Sequence, residues 1–392
     1  MRFIARRYDN AQLVRVTVSQ GRVARLEPWQ ETSQKAADIP WIAPGFVDIQ
    51  VNGYGGQEFS SHDLTVEKVA RIVRHHHAFG VTAFLPTLTT QSFECLAHGL
   101  RTISSACRQD MAVQRSVHGI HVEGPFIATE DGPRGAHPIE HCRRPDWEEF
   151  QRLQEAAEGR IRLLTLSAEY DEAPAFVERA VASGVVVAIG HTAATSHQIR
   201  TVVDAGASLS THLGNGAHRM LRRHPNYLWD QLAEDRLMAS LIVDGHHLPS
   251  EVVKVFIRAK TADRCILVSD VSGLAGLPRG RYTSSGCELE VLDDGRLVIA
   301  GQDQLLAGGS LPIGACVANV MRFANLDLVD AIALASQRPA ALIGAQVGGL
   351  EIGQIADFVL FQLDQEAASN QMRIVATLIR GELMHGELGR FD

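Results

Sequence analysis

Three residues of the kinds that bind divalent metal ions each follow a short apolar run: Glu123, His191 and His212. Such runs are typical of buried strands. The carboxyl ends of parallel strands in a barrel meet on one face, so we expect the three side chains to converge there. One carboxylate and two imidazoles suit an ion such as zinc and leave coordination positions for water and substrate. The pattern therefore predicts metal-assisted hydrolysis.

The best candidate for the proton shuttle that such a reaction needs is Asp270, which ends the apolar run 266–269. An aspartate at this position is also typical of a helix N-cap or a turn. A histidine at a strand end is likewise often a structural residue held by hydrogen bonds. Three ligand candidates on three strands of one barrel favour the catalytic interpretation over these structural alternatives.

Eight strand-like runs alternate with helix-like segments along most of the chain. The predicted strands cover residues 45–51, 81–86, 117–123, 161–168, 185–191, 207–213, 238–244 and 265–270. Between them lie segments with apolar residues at helical spacing, such as 64–79 and 173–183. Eight strands with intervening helices predict an α/β fold, a (β/α)8 TIM-like barrel.

Both ends of the chain carry further strand signals. Residues 13–18 and 22–26 are rich in β-branched residues and flank a turn, and residues 357–361 and 374–379 are also strand-like. We therefore expect the two ends to pack together as a small β-sandwich domain.

The predicted domain boundaries follow from this division. The β-sandwich takes residues 1–43 and 346–392, and the metal-dependent barrel takes residues 44–345. Within the barrel, Asp293-Asp294-Gly295 is a hairpin turn signal, which predicts a β-hairpin insertion near residues 282–300.

The overall composition excludes several classes of partner. The chain has a net charge of −8, with 45% hydrophobic and 21% charged residues, which is ordinary for a globular protein. An acidic net charge argues against nucleic acid as a partner. No apolar stretch approaches the roughly 18 residues that cross a bilayer, and the N-terminus lacks the apolar core of a secretory signal. We predict no membrane partner and a cytoplasmic location.

A compact group of arginines nevertheless provides local positive charge at Arg219, Arg222 and Arg223. Such a cluster can hold a small phosphorylated ligand against an acidic net charge. The alternative interpretation is a solvated surface loop.

Several short motifs occur in a fixed order from about residue 44 to 312. They are Pro44-Gly45-Phe46-Val47-Asp48 with Asn52-Gly53, Glu123-Gly124-Pro125-Phe126, Arg134-Gly135-Ala136-His137, Gly190-His191-Thr192-Ala193, Thr211-His212-Leu213-Gly214-Asn215, Asp244-Gly245-His246-His247, Val268-Ser269-Asp270 and Leu306-Ala307-Gly308-Gly309-Ser310. In this combination the chain resembles the N-acetylglucosamine-6-phosphate deacetylase family of the amidohydrolase superfamily.

The resemblance implies roles for the residues that match the family motifs. It implies metal ligation by Glu123, His191 and His212, and it makes Asp270 the general base and then the general acid of a deacetylation.

It further implies how the substrate is bound. His137 and His247 are expected at the substrate, with His247 orienting the sugar and the amide, and the amides of Asn215 and Gly216 are expected to approach it. Arg223 matches an arginine that holds the phosphate in the neighbouring subunit, which implies a homodimer.

One difference from many amidohydrolases concerns the number of metal ions. Gln50-Val51-Asn52 stands where a His-x-His pair binds a second metal ion. Neutral amides are poor ligands beside imidazole and carboxylate, so we predict one divalent ion per subunit. Zinc is the first choice, and iron, manganese and cobalt also tolerate the ligand set. Gln50 and Asn52 are then expected to hydrogen-bond the substrate.

Together these expectations predict hydrolysis of the acetamide of an N-acetyl amino sugar 6-phosphate, with N-acetylglucosamine 6-phosphate first, to acetate and the amino sugar phosphate. A family Asn-Ala-Met segment reads Asn215-Gly216-Ala217-His218 here, which leaves open the galacto epimer or another N-acyl substrate such as an N-acyl amino acid. A binding protein that has lost its chemistry is a third interpretation. The complete set of ligand candidates and Asp270 argues against it.

Overall fold

The computed structural model describes residues 1–30, 38–284, 287–364 and 371–389. The parts of the predicted domains at residues 31–37, 285–286, 365–370 and 390–392 lie outside the described residues.

The strands, in chain order, are β1 (Arg2–Arg7), β2 (Leu13–Ser19), β3 (Arg22–Pro28), β4 (Trp41–Pro44), β5 (Phe46–Val51), β6 (Gly53–Tyr54), β7 (Gln57–Glu58), β8 (Val81–Thr89), β9 (Ile120–Glu123), β10 (Ile161–Leu166), β11 (Val186–Ile189), β12 (Leu209–Ser210), β13 (Met238–Leu241), β14 (Cys265–Leu267), β15 (Gly280–Ser284), β16 (Cys287–Val291), β17 (Leu297–Ile299), β18 (Gln302–Leu306), β19 (Phe358–Asp364), β20 (Gln371–Ile379) and β21 (Glu382–Gly386).

The α-helices are α1 (Val66–Ala78), α2 (Phe93–Gln109), α3 (Met111–Ser116), α4 (Trp147–Ala156), α5 (Ala173–Ala182), α6 (Ser196–Asp204), α7 (Tyr227–Ala233), α8 (Ser250–Lys260), α9 (Ile313–Ala324), α10 (Leu328–Leu334) and α11 (Gln337–Leu342). Short 3₁₀ turns occur at Ile139–His141 and Ala262–Arg264. Within the described ranges, no helix has both the length and the apolar character that spanning a membrane requires.

Eight of these strands form the barrel that the sequence predicted. They follow one another in the order β5-β8-β9-β10-β11-β12-β13-β14, and each neighbouring pair is parallel. The barrel closes where the Asp270 amide donates to the carbonyl of Gln50 at 3.0 Å and Val51 pairs with Val271. Because the strands are parallel, their carboxyl ends all open on one face.

The helices pack against this barrel for reasons that are visible in their sequences. In α1, the side chain of Thr65 caps the first turn by accepting the amide of Lys68. Val69 and Val73, which lie four residues apart on one helix face, are fully buried. Parallel strands covered by such helices are buried on both sides, and all six residues of β5 are buried accordingly.

The two ends of the chain meet in a seven-stranded sheet with the order β21-β20-β19-β4-β1-β2-β3. It joins the ends because β19 lies antiparallel to β4, which in turn lies parallel to β1. Its apolar side chains form a core of their own that includes Phe3, Val16, Ile42, Phe358 and Leu378. The predicted β-structure built from both chain ends is confirmed, and the domain boundaries after residues 43 and 345 stay a prediction.

The insertion near the end of the barrel is larger than the sequence indicated. The predicted hairpin is present as β16 and β17, which pair on either side of the turn at residues 293–295. β15 and β18 add one strand on each side, so the insertion is a four-stranded antiparallel sheet from residue 280 to 306.

Asp48 lies at the closure of the barrel and is fully buried. Its carboxylate accepts the amides of Gln50 and Ser269, each at 3.3 Å. Burial raises the pKa of Asp48 from 3.8 to about 7, although these hydrogen bonds oppose the shift. The ionised form is therefore less stable in the folded protein than in the unfolded chain.

This raised pKa predicts that the free energy of unfolding falls as the pH rises. Between pH 3.8 and about 7 the folded chain binds a proton at Asp48 that the unfolded chain has released, so unfolding becomes easier as the pH rises. The difference between these pKa values corresponds to roughly 4 kcal/mol at most. Asp48→Asn keeps an acceptor oxygen and does not titrate, so urea unfolding from pH 4 to 8 is expected to give a flatter stability profile. Parallel profiles for the two proteins would contradict this account.

Candidate active site

The three predicted metal ligands lie together at the carboxyl ends of their strands. Glu123 is the last residue of β9, and His191 and His212 each lie two residues beyond the ends of β11 and β12. Their exposed fractions are 3%, 7% and 3%. A buried carboxylate beside two imidazoles is unfavourable unless positive charge compensates it.

The ligand atoms point at one another. The Nε2 atoms of His191 and His212 lie 3.1 and 3.0 Å from Oε1 of Glu123 and 3.1 Å from each other. Nδ1 of His191 lies 2.8 Å from the carbonyl oxygen of Pro133, which can only accept, so Nδ1 carries the proton and Nε2 presents a lone pair. The candidate ligand atoms of Glu123, His191 and His212 all lie within 4.8 Å of one another. The donor set of two nitrogens and one oxygen therefore fits a divalent metal ion.

The backbone is strained at the same strand ends. His191, His212 and Asp270 have φ values of 49°, 30° and 49°, in the left-handed region that residues with a Cβ rarely adopt. Each such residue costs about 1–3 kcal/mol, and such strain is concentrated at functional sites. The fold thus holds two candidate ligands and the candidate proton shuttle in conformations that the local sequence does not favour.

Gln50 contacts the metal ligands instead of facing the cavity. It is 1% exposed, and its Nε2 donates to Oε1 of Glu123 at 3.0 Å. It is not among the residues that line the cavity described below, so the structure gives it a role in holding the carboxylate, and its predicted contact with substrate gains no support.

Removing this support is expected to weaken the metal site. Hydrogen-bond partners of metal ligands typically contribute 10- to 100-fold to metal affinity. For Gln50→Ala we expect a loss of roughly that size, measured by competition with a chelator of known affinity. Gln109→Ala, on the exposed surface of α2, is the matched control and should bind metal like the unchanged protein. Equal metal affinities for the two variants would show that Gln50 does not support the metal site.

Asp270, the predicted proton shuttle, lies three residues beyond β14 and is 7% exposed. Its Oδ1 accepts the side-chain amide of Asn52 at 2.8 Å. Burial raises the pKa of Asp270 to about 6, and the negative charge of Glu123 adds to the shift. A carboxylate with a pKa near neutrality can both accept and return a proton. Asn52 lines the cavity as well, and its contact with substrate stays a prediction.

His247 is held by the carboxylate of Asp244, a contact that the sequence did not indicate. Nδ1 of His247 lies 2.8 Å from Oδ2 of Asp244, and Oδ1 of Asp244 accepts the amides of His246 and His247. Burial raises the pKa of Asp244, but the hydrogen bond and charge of His247, together with the two backbone amides, outweigh it and lower the pKa. The ionised Asp244 thus directs the Nδ1 proton toward itself and leaves Nε2 of His247 for a ligand.

His137 packs directly beside the candidate metal site. Its ring centroid lies 4.3 Å from that of His191, and its Nδ1 lies 2.9 Å from Oγ1 of Thr90. Burial, with a smaller contribution from the neighbouring His191, lowers the pKa of His137 to about 3. His137 is therefore a neutral hydrogen-bonding group at physiological pH.

Gly216 stands where no side chain would fit. A Cβ added to it would lie 2.8 Å from Nδ1 of His191 and 3.2 Å from the carbonyl oxygen of Pro133, and its φ is +58°. Glycine therefore lets the loop that follows β12 approach the metal site closely. The neighbouring Asn215 donates from its side chain to the carbonyl of His212 at 3.2 Å.

A cavity of about 590 Å³ brings these groups together. Nine of the eleven predicted site residues line it: Asn52, Glu123, His137, His191, His212, Asn215, Gly216, His247 and Asp270. The four-stranded insertion contributes Leu289, Arg296 and Leu306 to the wall, so it covers part of the opening.

Arg223 lies outside the cavity of its own chain. Arg222 and Arg223 are exposed and border a separate small pocket that also contains Trp229. Arg219, from the same cluster, does line the cavity. The predicted contact of Arg223 with a phosphate in a neighbouring subunit stays a prediction.

His218 links two loops of the cavity wall, a role that the sequence did not indicate. Its Nε2 lies 2.9 Å from Oε1 of Glu130, which belongs to the loop after β9. Its Nδ1 lies 3.0 Å from the hydroxyl of Tyr227, which also accepts the backbone amide of His218 at 2.8 Å. The loops that carry His137 and Gly216 are therefore held together at this point.

Comparison with known proteins agrees with this geometry. The family model described as the amidohydrolase family matches residues 41–384, which is most of the chain. The chain belongs to the amidohydrolase family. Members of this superfamily depend on metal ions, in keeping with the cluster of Glu123, His191 and His212.

Relatives with a named activity match this amidohydrolase over most of its length. The N-acetylglucosamine-6-phosphate deacetylase of Bos taurus is 32% identical over 354 residues, covering 88% of this chain and 83% of that protein. The N-acetylgalactosamine-6-phosphate deacetylase of Shewanella sp. (strain ANA-3) is also 32% identical, covering 89% of this chain and 85% of that protein.

Solved structures match the whole amidohydrolase chain. An aspartate-to-alanine mutant of N-acetyl-D-glucosamine-6-phosphate deacetylase from Mycobacterium smegmatis, in complex with N-acetyl-D-glucosamine-6-phosphate, superposes with a TM-score of 0.84 at 28% identity. The match covers 98% of this chain and 99% of that one. The N-acetylglucosamine-6-phosphate deacetylase of Thermotoga maritima matches with a TM-score of 0.83 at 25% identity, over 98% and 99% of the two chains.

Proposed function

We propose that this amidohydrolase removes the acetyl group of N-acetylglucosamine 6-phosphate, giving acetate and glucosamine 6-phosphate. The observation that carries the proposal is that the cluster of Glu123, His191 and His212 and the carboxylate of Asp270 line one cavity. The names of the relatives and of the similar structures support the substrate.

Glu123, His191 and His212 would hold the metal ion, and zinc suits this donor set best, with iron, manganese and cobalt as alternatives. One ion per subunit is proposed because Gln50, at the position where many amidohydrolases place a second ligand pair, is a neutral amide already bonded to Glu123. A bound ion supplies Lewis acidity and lowers the pKa of a water molecule at the site.

Asp270 carries the proton in the proposed reaction. Its carboxylate takes a proton from the attacking water while the water oxygen bonds to the carbonyl carbon of the acetamide. The carboxyl group then returns this proton to the nitrogen as the carbon–nitrogen bond breaks, which leaves acetate and a primary amine. The hydrogen bond from Asn52 to Oδ1 supports the role, because it orients the carboxylate within the cavity.

His247 and His137 are proposed to bind and orient the substrate. Asp244 holds the Nδ1 side of His247, so the Nε2 side remains for the sugar or for the oxygen of the reacting amide. His137 is neutral and lies against His191, which suits hydrogen bonding to the uncharged part of the substrate. The amides of the segment at Asn215 and Gly216 complete the proposed binding site.

Arg223 is proposed to bind the substrate phosphate across a homodimer interface. Arg223→Ala is then expected to raise the KM for N-acetylglucosamine 6-phosphate by roughly 10- to 100-fold, since a charge-assisted hydrogen bond contributes about 1.5–3 kcal/mol. The KM for N-acetylglucosamine without the phosphate should not change. Arg222→Ala, at a neighbouring arginine that is also exposed, is the matched control in steady-state kinetics. A similar KM increase for both sugars would contradict the phosphate contact.

Mixing two defective proteins tests whether the contact crosses the interface. Subunits with Arg223→Ala are mixed with subunits with Asp270→Asn under conditions that allow exchange. In a mixed dimer, the site with an intact Asp270 receives Arg223 from its partner, so activity with the original low KM should appear. Failure of the mixture to recover a low KM, while sedimentation shows mixed dimers, would contradict a contact between subunits.

An acetate-release assay separates the proposed substrate from its alternatives. The panel contains N-acetylglucosamine, its 6-phosphate, N-acetylgalactosamine 6-phosphate and an N-acetyl amino acid. The galacto epimer is a serious second candidate because a relative with equal identity is named for it. We expect the highest kcat/KM for N-acetylglucosamine 6-phosphate. No acetate release from any sugar after metal reconstitution would overturn the proposal. The cytoplasmic location stays a prediction.

A further inference from the structure

A second cavity, of about 570 Å³, lies at the end of the barrel opposite the active site. Val186 begins β11 and Arg162 is the second residue of β10, so the cavity lies where these strands start. The segment from Leu342 to Gln346, which leaves the barrel after α11, forms another side. The proposed deacetylation uses none of these residues.

Arginine side chains give this cavity its chemical character. Arg115, Arg162 and Arg380 line it. Arg115 is paired with Glu382 at 2.6 Å. In the part of the chain that the structure describes, neither Arg162 nor Arg380 has a carboxylate within ion-pair distance. Two guanidinium groups that form no ion pair with a described carboxylate therefore line the cavity, and the nearby Asp357 interacts with Arg380 only through its general electrostatic field and a backbone hydrogen bond.

The cavity also offers an acceptor. Asp357 is the one carboxylate among its described lining residues, and its Oδ1 accepts the backbone amide of Arg380 at 2.6 Å. This hydrogen bond fixes the carboxylate next to the arginines and leaves Oδ2 for another donor. Apolar contacts come from Val186, Leu342 and Ile343.

The side chain of Arg162 packs against Gly119, where no other residue would leave room for it. A Cβ at Gly119 would lie 2.4 Å from Cγ of Arg162, so only glycine lets the arginine stem lie against the residues before β9. Gly119 also has a φ of +153°. The absence of a side chain there therefore lets Arg162 occupy its place at the cavity.

We propose that this cavity binds a small phosphate monoester of a polyol or an amino sugar. Arg162 and Arg380 hold the phosphate, because planar guanidinium groups match its oxygens in pairs. Asp357 accepts a hydrogen bond from a hydroxyl or ammonium group of the same ligand. A pocket of this size with an apolar side and a few polar groups suits such a molecule.

The site is connected to the metal centre by two strands. His118, at the cavity, and Glu123, at the metal site, are joined by β9, and Val186 and His191 are joined by β11. Each pair is five residues apart, which spans about 17 Å at the rise of a strand. The proposal concerns binding alone, and it does not rest on the proposed deacetylation.

Calorimetric titration of the full, metal-loaded chain with glucose 6-phosphate tests the proposal, since this probe has no acetamide. The double variant Arg162→Ala/Arg380→Ala is expected to weaken binding at this site at least tenfold, and kcat without added probe should not change. The matched control Arg101→Ala/Arg200→Ala removes two exposed arginines elsewhere and should bind normally. Equal loss in both double variants, or a single binding event in the unchanged protein that His247→Ala abolishes, would overturn the proposal.

Two further comparisons sharpen the assignment. Inorganic phosphate should bind at least tenfold more weakly than glucose 6-phosphate, because it lacks the polyol part that would donate to Asp357 and contact the apolar side, and equal affinity would overturn the monoester assignment. Arg162→Lys/Arg380→Lys keeps the charge and guards against misfolding of the alanine variant. It should still weaken binding, since lysine lacks the paired donors, and unchanged affinity would contradict direct recognition of the phosphate.

Discussion

Asp270→Asn is expected to lower turnover of the proposed substrate by roughly 100- to 10,000-fold, which is the usual contribution of a positioned general acid or base. The asparagine has nearly the same shape and keeps an oxygen that can accept the amide of Asn52, which now bonds Oδ1 at 2.8 Å. It cannot take a proton from water. The loss should appear in kcat, because the residues proposed to bind the sugar remain in place.

Metal content separates this effect from a damaged site. Asp270 is not part of the cluster formed by Glu123, His191 and His212, so the variant should bind the same amount of metal as the unchanged protein. Asp171→Asn, an exposed substitution of the same type, is the control for activity. Turnover within tenfold of the original, at full metal occupancy, would exclude Asp270 as the proton shuttle.

The strand ends that carry this chemistry could be predicted from the sequence because their signal is local. An apolar run followed by Glu123, His191 or His212 indicates both a buried strand and the position where it stops. Once eight such runs are assigned to a parallel barrel, their carboxyl ends must share a face. The order of the strands is therefore enough to predict that these side chains converge, even though the sequence shows no contact between them.

The contacts that support these residues could not be predicted in the same way. Gln50 bonds to Glu123, which is 73 residues away, and the carbonyl of Pro133 bonds to His191 across 58 residues. Such contacts depend on strand register and loop shape, which no short pattern specifies. The sequence therefore predicted that Gln50 contacts the substrate, whereas in the structure its side-chain amide donates to Glu123.

Asp244 is an intermediate case. Aspartate followed by glycine after a strand favours a turn in which the carboxylate accepts nearby amides, and the structure has this turn at His246 and His247. The turn signal was present in the sequence, but its consequence, an imidazole held by the second carboxylate oxygen, requires the three-dimensional structure.

In the four-stranded insertion, only the two inner strands could be predicted from the sequence. The inner strands β16 and β17 flank an Asp-Gly turn and are apolar enough to be recognised. The outer strand β15 begins at a glycine and is largely polar, so its pairing depends on β16 being present as a partner. Edge strands of this kind carry little sequence signal, because one side of their backbone has no neighbour.

Glu123→Gln is expected to have the other large effect, on metal binding itself. Oε1 of Glu123 is the atom that both imidazoles and Gln50 approach, at 3.1, 3.0 and 3.0 Å. A neutral amide is a poor ligand for a transition metal ion, so affinity should fall more than the roughly 10- to 100-fold expected when only a supporting hydrogen bond is lost. Elemental analysis after dialysis should find close to one ion per chain in the unchanged protein and far less in the variant.

A second measurement makes the result independent of activity. A ligand that binds the folded state stabilises it, so added zinc should raise the melting temperature of the unchanged protein and not that of Glu123→Gln. Glu58→Gln is the matched control because Glu58 is the other glutamate among the described residues that line the cavity. If Glu123→Gln kept its metal and its thermal response, the cluster would not be the metal site. If metal affinity is lowest for Glu123→Gln, intermediate for Gln50→Ala and unchanged for Glu58→Gln, the carboxylate of Glu123 binds the ion and Gln50 only holds that carboxylate in place.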